Sequence, residues 1–359
     1  MWWNIKLLNV KLNNINKNMK HIKYPKIQQF RNIVSEVNRQ VSFNGFDDNG
    51  DSIYNKNVEK PKLTFNGTVK IHGTNAGVCF NSNDGLWAQS RENLITTLND
   101  NFGFAFFVET KKVHFSRLID KIRDEFNIDT SVYTISIYGE WAGGNIQKNV
   151  GVSETEKAFY VFGVKISKLG DDDFVSYWVE SKSISDNDNK IYNVNDFKTF
   201  QVEVDFNMPE LAQKTFSDIT EEVENECPVA KHFGVSGIGE GVVWTVIFNG
   251  NTHRFKVKGE KHSVTKVKKL ASVDIEKLNS INEFVEYAVT ENRIDQAVEK
   301  VFNDKDLDIK KLGDFIRWII NDITSEEMDT MVENNLEPKD VNKYISNKAR
   351  TMFFNLLEL

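Results

Sequence analysis

The chain has 359 residues, enough for two domains that each bury a core. Its 40% hydrophobic and 27% charged residues describe a globular chain, and no run of about 18 apolar residues predicts a membrane span. Two cysteines, Cys79 and Cys227, are too few for a disulfide framework and fit a reducing, cytoplasmic setting. The net charge of −7 argues against a nucleic-acid partner until its distribution is read. Residues 270–359 hold 11 Lys and Arg against 19 Asp and Glu, a net −8, which leaves about +1 on the rest.

In chain order, residues 1–20 mix Trp2, Trp3 and leucines with Asn and Lys, lack a signal-peptide cleavage site, and read as an N-terminal extension. Residues 27–40 predict a short helix and 44–58 a polar loop. Stretches 62–70, 76–81 and 85–89 read as a strand meander with the turn Asn83-Asp84-Gly85. Residues 100–126 carry Phe104, Phe107, Val108, Phe115, Leu118, Ile119 and Ile122 at helical spacing, one amphipathic helix or two. Strands follow over 131–138 and 158–166, a hairpin and loop over the Asp-rich 170–195, and a helix over 208–226. The Asp171-Asp172-Asp173 cluster lacks the spacing of a calcium loop. Strands 241–248 and 253–258 pair through an Asn249-Gly250 turn. From residue 270 the periodicity is helical, over 274–289, 291–302, 308–321, 325–333 and 338–358. The pattern predicts an α+β fold: a domain of antiparallel sheets flanked by helices over 21–267, then a small all-helical C-terminal domain over 268–359.

Chemistry-bearing residues fall at strand ends. Lys70 follows an alternating run and precedes Gly73 and Gly77; it is either a solvated strand-end lysine or, in a desolvated or cationic setting, a nucleophile. Glu240 lies between two glycines before an apolar strand. Lys256 and Lys258 share one strand face, where two ammonium groups repel unless an anion such as phosphate lies between them; otherwise the face is simply exposed. Lys261, Lys266, Lys268 and Lys269 extend this basic run, opposed only by Glu260.

Lys70-Ile71-His72-Gly73-Thr74-Asn75 resembles the nucleotidyl-acceptor motif of the ATP-dependent RNA ligases, within the covalent nucleotidyltransferase superfamily. Tyr138-Gly139-Glu140-Trp141, Phe159-Tyr160-Val161-Phe162-Gly163-Val164, Glu240-Gly241-Val242-Val243-Trp244 and Phe255-Lys256-Val257-Lys258-Gly259 follow in that family's order. The resemblance covers about residues 60–265 and is nearest to the nick-sealing branch typified by a bacteriophage T4 ligase. It implies a nucleotidyltransferase (adenylation) domain in which Lys70 takes AMP from ATP, Lys256 and Lys258 neutralise the α-phosphate, and Glu240 binds Mg²⁺ or Mn²⁺. It also implies that His72 and Asn75 orient groups around the phosphate, Arg91 and Glu140 hold the ribose, and Phe162 stacks on adenine. The implied partner is RNA with 5'-phosphate and 3'-hydroxyl ends, in a nicked RNA or RNA/DNA hybrid duplex, for a monomer in the cytoplasm, the host's if the source is viral. Three positions depart from the pattern: Val69 and Gly163 stand where acidic residues are common, and Thr245 where a basic one is. A capping guanylyltransferase, a DNA ligase and a non-catalytic RNA-binding relative are the alternatives. His72 and the lack of an evident OB-fold tail disfavour the first two, and the full set of charged residues disfavours the third.

Overall fold

The computed structural model describes residues 19–55, 57–170, 176–259, 281–302, 307–333 and 336–357. They form two compact units, one of residues up to Asn207 with Asp218–Val257, the other of Met208–Ser217 with residues from Lys258 onward. The expected boundary at 267–268, residues 1–18 of the extension expected over 1–20, the Asp171–Asp173 cluster and Lys261, Lys266, Lys268 and Lys269 lie outside the described residues.

The first unit opens with α1 (Phe30–Ser42), where Phe30, Ile33, Val34 and Val37 recur at helical spacing and are buried. The stretch expected as a loop holds a small hairpin, β1 (Phe43–Phe46) with β2 (Ser52–Tyr54). Next come β3 (Lys62–Val69), β4 (Thr74–Asn81), β5 (Gly85–Ser90) and β6 (Leu94–Ile95), then two helices, α2 (Phe104–Thr110) and α3 (Lys112–Phe126). β7 (Tyr133–Ala142), β8 (Ala158–Lys168), β9 (Ser176–Val179), β10 (Ile191–Asn193) and β11 (Thr199–Asp205) follow, then α4 (Ala212–Asn225), which belongs to this unit from Asp218 on, α5 (Pro228–His232) and the hairpin of β12 (Gly241–Phe248) and β13 (Asn251–Lys258).

These strands make two sheets, and the expected meander is divided between them. β3 lies in a four-stranded sheet, in the order β11-β3-β12-β13, whereas β4 and β5 lie in a sheet ordered β10-β8-β7-β4-β5-β6, with β9 also paired to β8. Residues 70–73 are therefore the crossing from one sheet to the other. Alternation marks a strand but does not name its partner, so the crossing was invisible in the pattern.

In the four-stranded sheet, β11 and β12 both run antiparallel to β3. Asn249 and Gly250 have φ of +48° and +75°, so the two-residue turn has the hand that matches strand twist. Phe30 of α1 packs on Phe255 with centroids 5.0 Å apart, and Phe65 on Phe255 at 5.5 Å. In the larger sheet, Val78, Ile135, Ile137, Val161 and Val164 pack with Phe104, Phe115, Ile119 and Ile122 of α2 and α3. Its opposite face carries Cys79, Gln89 and Tyr138 and is strapped by the N-terminal segment. The Ile22 amide donates to Gln89 Oε1 at 3.1 Å, and the Ile22 carbonyl accepts from Gln89 Nε2 and from the Tyr138 hydroxyl, each at 2.6 Å.

In the second unit, α6 (Ile281–Ala288), α7 (Glu291–Phe302), α8 (Leu312–Glu333) and α9 (Pro338–Leu357) share a core that includes Phe284, Ile294, Phe315, Ile323, Ile345 and Phe353. The helices expected over 308–321 and 325–333 are one. The gap left between them, 322–324, is helical as well, and Ile323, Glu327 and Met331 keep the same helical face buried through it. Arg293 is fully buried, donating from Nε to Asp322 at 2.8 Å and to the Ala288 carbonyl, with Glu327 3.5 Å away. Among the described residues, no helix is long and apolar enough to cross a membrane.

Candidate active site

The crossing is fixed at its first residue: the Lys70 amide donates to the Gly241 carbonyl at 2.8 Å, tying the end of β3 to the start of β12. Gly241 has φ of +148°, a backbone setting that favours glycine. That tie brings Glu240 beside the crossing. Lys70 Nζ donates to Glu240 Oε2 at 2.6 Å, and His72 Nδ1 lies 3.0 Å from the same oxygen. A carboxylate only accepts, so Nδ1 carries the proton. Glu240 is 3% exposed, while Lys70 and His72 keep 20% and 19% of their side-chain surface in solvent. An almost fully buried charge is thus paired with an amine that stays open to an incoming group.

The second carboxylate comes from the larger sheet. Glu140 pairs in register with Asn75 of β4 and Tyr160 of β8, so Asn75 and Glu140 are neighbours on one face. The strand was expected to end at Tyr138, but β7 continues to Ala142, which puts Glu140 inside the sheet. Burial pushes Glu140 up to about 7; Lys70 pulls it back, Glu240 adds to the rise, and the Gly73 amide, donating to it, and Arg91 lower it. Gly73 has no room for a side chain, because a Cβ there would stand 2.5 Å from the Trp141 carbonyl. Arg91 lies past the end of β5 and is exposed, 3.6 Å from Glu92, and it reaches Glu140 only through its charge.

Phe162 is the extra residue of a bulge. Tyr138 pairs with Gly163 and Gly139 with Val161, which leaves Phe162 unpaired between them. Its half-buried ring meets Tyr24 edge-on with centroids 5.1 Å apart, and Tyr24 likewise meets Tyr138 at 5.2 Å and Trp178 at 5.6 Å. Tyr24 and Trp178 were not singled out in the sequence; an isolated aromatic carries no periodic signal.

Lys256 and Lys258 are half-buried on one face of β13. The two-residue turn returns β13 toward the start of β12, the end at which Gly241 holds Lys70, so strand order brings Lys256 toward the Lys70–Glu240 pair. Among the described residues, no group of three or more His, Cys, Asp or Glu could hold a metal ion. One or two carboxylates fit instead a hard divalent cation that takes its other oxygens from phosphate and water. Of the expected residues, Lys70, His72, Glu240, Glu140 and Asn75 gather at the crossing, Phe162 lies further along the same sheet, and Arg91 stands at the rim.

No curated protein matches the chain. Among solved structures it is similar to the Naegleria gruberi RNA ligase with pyrophosphate, at 14% identity and a TM-score of 0.39 over 66% of this chain and 56% of that one. It is also similar to a variant of that ligase with ATP and Mn, at 14% identity and a TM-score of 0.41 over 67% and 56%. The chain therefore spans just over half the length of those ligase chains. The sequence model of a family described as RNA ligase matches residues 64–258, from β3 through β13 and across every residue of the site except Tyr24. The chain belongs to the RNA ligase family.

Proposed function

We propose that the protein is an ATP-dependent RNA ligase that joins a 5'-phosphate to a 3'-hydroxyl, with Lys70 as its nucleophile. The observation that carries this reading is the 2.6 Å contact between Lys70 Nζ and the buried Glu240, set at the crossing between two sheets. The amine must lose a proton before its lone pair can attack, and Glu240 Oε2 is in place to take it. Nζ then bonds to the α-phosphorus of ATP as the bond to pyrophosphate breaks, leaving AMP on Lys70. The AMP passes to the RNA 5'-phosphate and frees the amine. The 3'-hydroxyl then attacks that phosphate and expels AMP.

Each step moves a charged phosphoryl group, so positioning and charge neutralisation dominate. Lys256 and Lys258 would neutralise the α-phosphate from β13, with the positive charge of Lys256 favouring a neutral Lys70. Glu140, ionised above about 7, would accept from a ribose hydroxyl with Asn75 beside it, and Phe162 would stack on adenine. A Mg²⁺ or Mn²⁺ ion held through Glu240 would add further neutralisation of the phosphate oxygens. A nick in duplex RNA is the proposed substrate, following the branch that the motifs resemble.

The test is incubation with radiolabelled ATP or GTP and Mg²⁺, then ligation of nicked RNA duplex, single-stranded RNA and nicked DNA. Covalent label from ATP and sealing of the nicked RNA are expected, with both lost in Lys70→Ala and weakened in Lys256→Ala. Absence of label from either nucleotide would overturn the proposal, and label from GTP alone would make the protein a guanylyltransferase.

A further inference from the structure

Alternation along β13 sets Arg254 on the same face as Lys256 and Lys258, so the row of cations continues one step, about 7 Å, away from the Lys70 end. That step ends at the aromatic cluster. The Arg254 guanidinium lies over the Trp178 ring, 4.1 Å from its centroid, and Nη2 is 4.0 Å from where a Cβ would stand on Gly163, the residue after Phe162. Tyr24, edge-on to both Trp178 and Phe162, joins the guanidinium's surroundings to the proposed base platform.

Arg254 is half-buried, and among the described residues its side chain donates no hydrogen bond and forms no ion pair. A guanidinium has five donors and no acceptor, and the ring face compensates only part of its lost hydration. Two of the three departures from the family pattern, Gly163 and Thr245, meet here. Gly163 leaves the space in which Trp178 lies, since a Cβ there would be 3.0 Å from the indole, and it brings no carboxylate to occupy the donors. Thr245, where a basic residue is common, falls opposite Arg254 when residues are counted back from the Asn249–Gly250 turn.

We propose that Arg254 is a specificity-determining residue that reads the edge of the nucleobase stacked on Phe162, supplying from β13 the cation that position 245 lacks. The proposal rests on the nucleotide reading above. A donor-only group bonds the acceptors of a purine, its ring nitrogens or a carbonyl, and not the exocyclic amino group of adenine.

The test measures lysyl-adenylate formation with ATP and with its 1-deaza, 3-deaza and 7-deaza analogues, in the native protein and in Arg254→Met, which keeps an unbranched apolar stem and removes the guanidinium that lies over Trp178. In the native protein, loss of the engaged nitrogen should raise KM about tenfold with kcat unchanged. In Arg254→Met, ATP and that analogue should be used equally poorly, while Arg254→Lys, which keeps a donor, should recover part of the difference. Equal responses of the native protein and Arg254→Met to every analogue would overturn the proposal. They would assign the guanidinium to the neighbouring cavity of about 410 Å³ that Arg254 also borders with Lys26, Gln28, Glu36 and His253. Failure of the underlying reading looks different: native protein that takes no label from ATP, or a KM that Phe162→Ala leaves unmoved, would sink both.

Discussion

Replacing Glu140 with Gln removes a charge that the fold holds at a disadvantage. Burial pushes this carboxyl up to about 7 from an ordinary 4.5. Between those values the unfolded chain is the more ionised state and binds fewer protons, so the group's contribution to stability falls as pH rises through that window. At 1.36 kcal/mol per pKa unit the cost of ionising it in the folded state is at most about 3 kcal/mol, fully present above pH 7. Gln resembles the neutral acid and cannot ionise. Glu140→Gln should therefore match the native protein below pH 4.5 and exceed it by up to about 3 kcal/mol at pH 8, as read by urea unfolding followed through tryptophan fluorescence. The same variant should adenylate poorly, because an amide replaces the charged acceptor proposed for the ribose. Equal stability differences at both pH values would refute the reasoning, since they would mean that the surroundings of the half-buried Glu140 do not oppose its ionisation.

Gly73→Ala would drive a Cβ to 2.5 Å from the Trp141 carbonyl and 2.7 Å from the Ala142 side chain, backbone that cannot move without opening the β4–β7 ladder. A loss of about 1–3 kcal/mol by denaturant melt is expected, together with weaker adenylation because the Gly73 amide would shift off Glu140. In the helical unit, Arg293→Ala strips a buried guanidinium from Asp322 and leaves Glu327, already raised by burial, without its cation. The expected loss is about 3–5 kcal/mol, and a calorimetric melt unchanged from the native protein would contradict the assignment of a buried ion network.

Sequence and structure agree best where a local rule decides the outcome. The Asn249-Gly250 turn, the helical spacing of Phe104 to Ile122 and the order of the motif residues were all legible, because turn chemistry, amphipathicity and chain order are written locally. β11 was missed although Phe200, Val202 and Val204 alternate with Thr199, Gln201 and Glu203, since charged and polar neighbours masked a half-buried strand. The site was legible as a set of residues but not as an arrangement. Nothing local says that β3 and β4 part at Lys70, that Glu140 lies within its strand, or that Phe162 sits on a bulge. Arg254 carried a usable signal, standing two residues before Lys256 on the same face, but its significance needed Trp178 from another strand.

The most direct measurement is the position of the covalent adenylate. After incubation with ATP and Mg²⁺, proteolysis and tandem mass spectrometry should find one AMP, acid-labile and alkali-stable, on the peptide containing Lys70 and on no other lysine. AMP on Lys256, Lys258 or a lysine outside the crossing, or adenylation that survives Lys70→Ala, would contradict the claim that the amine paired with Glu240 is the nucleophile.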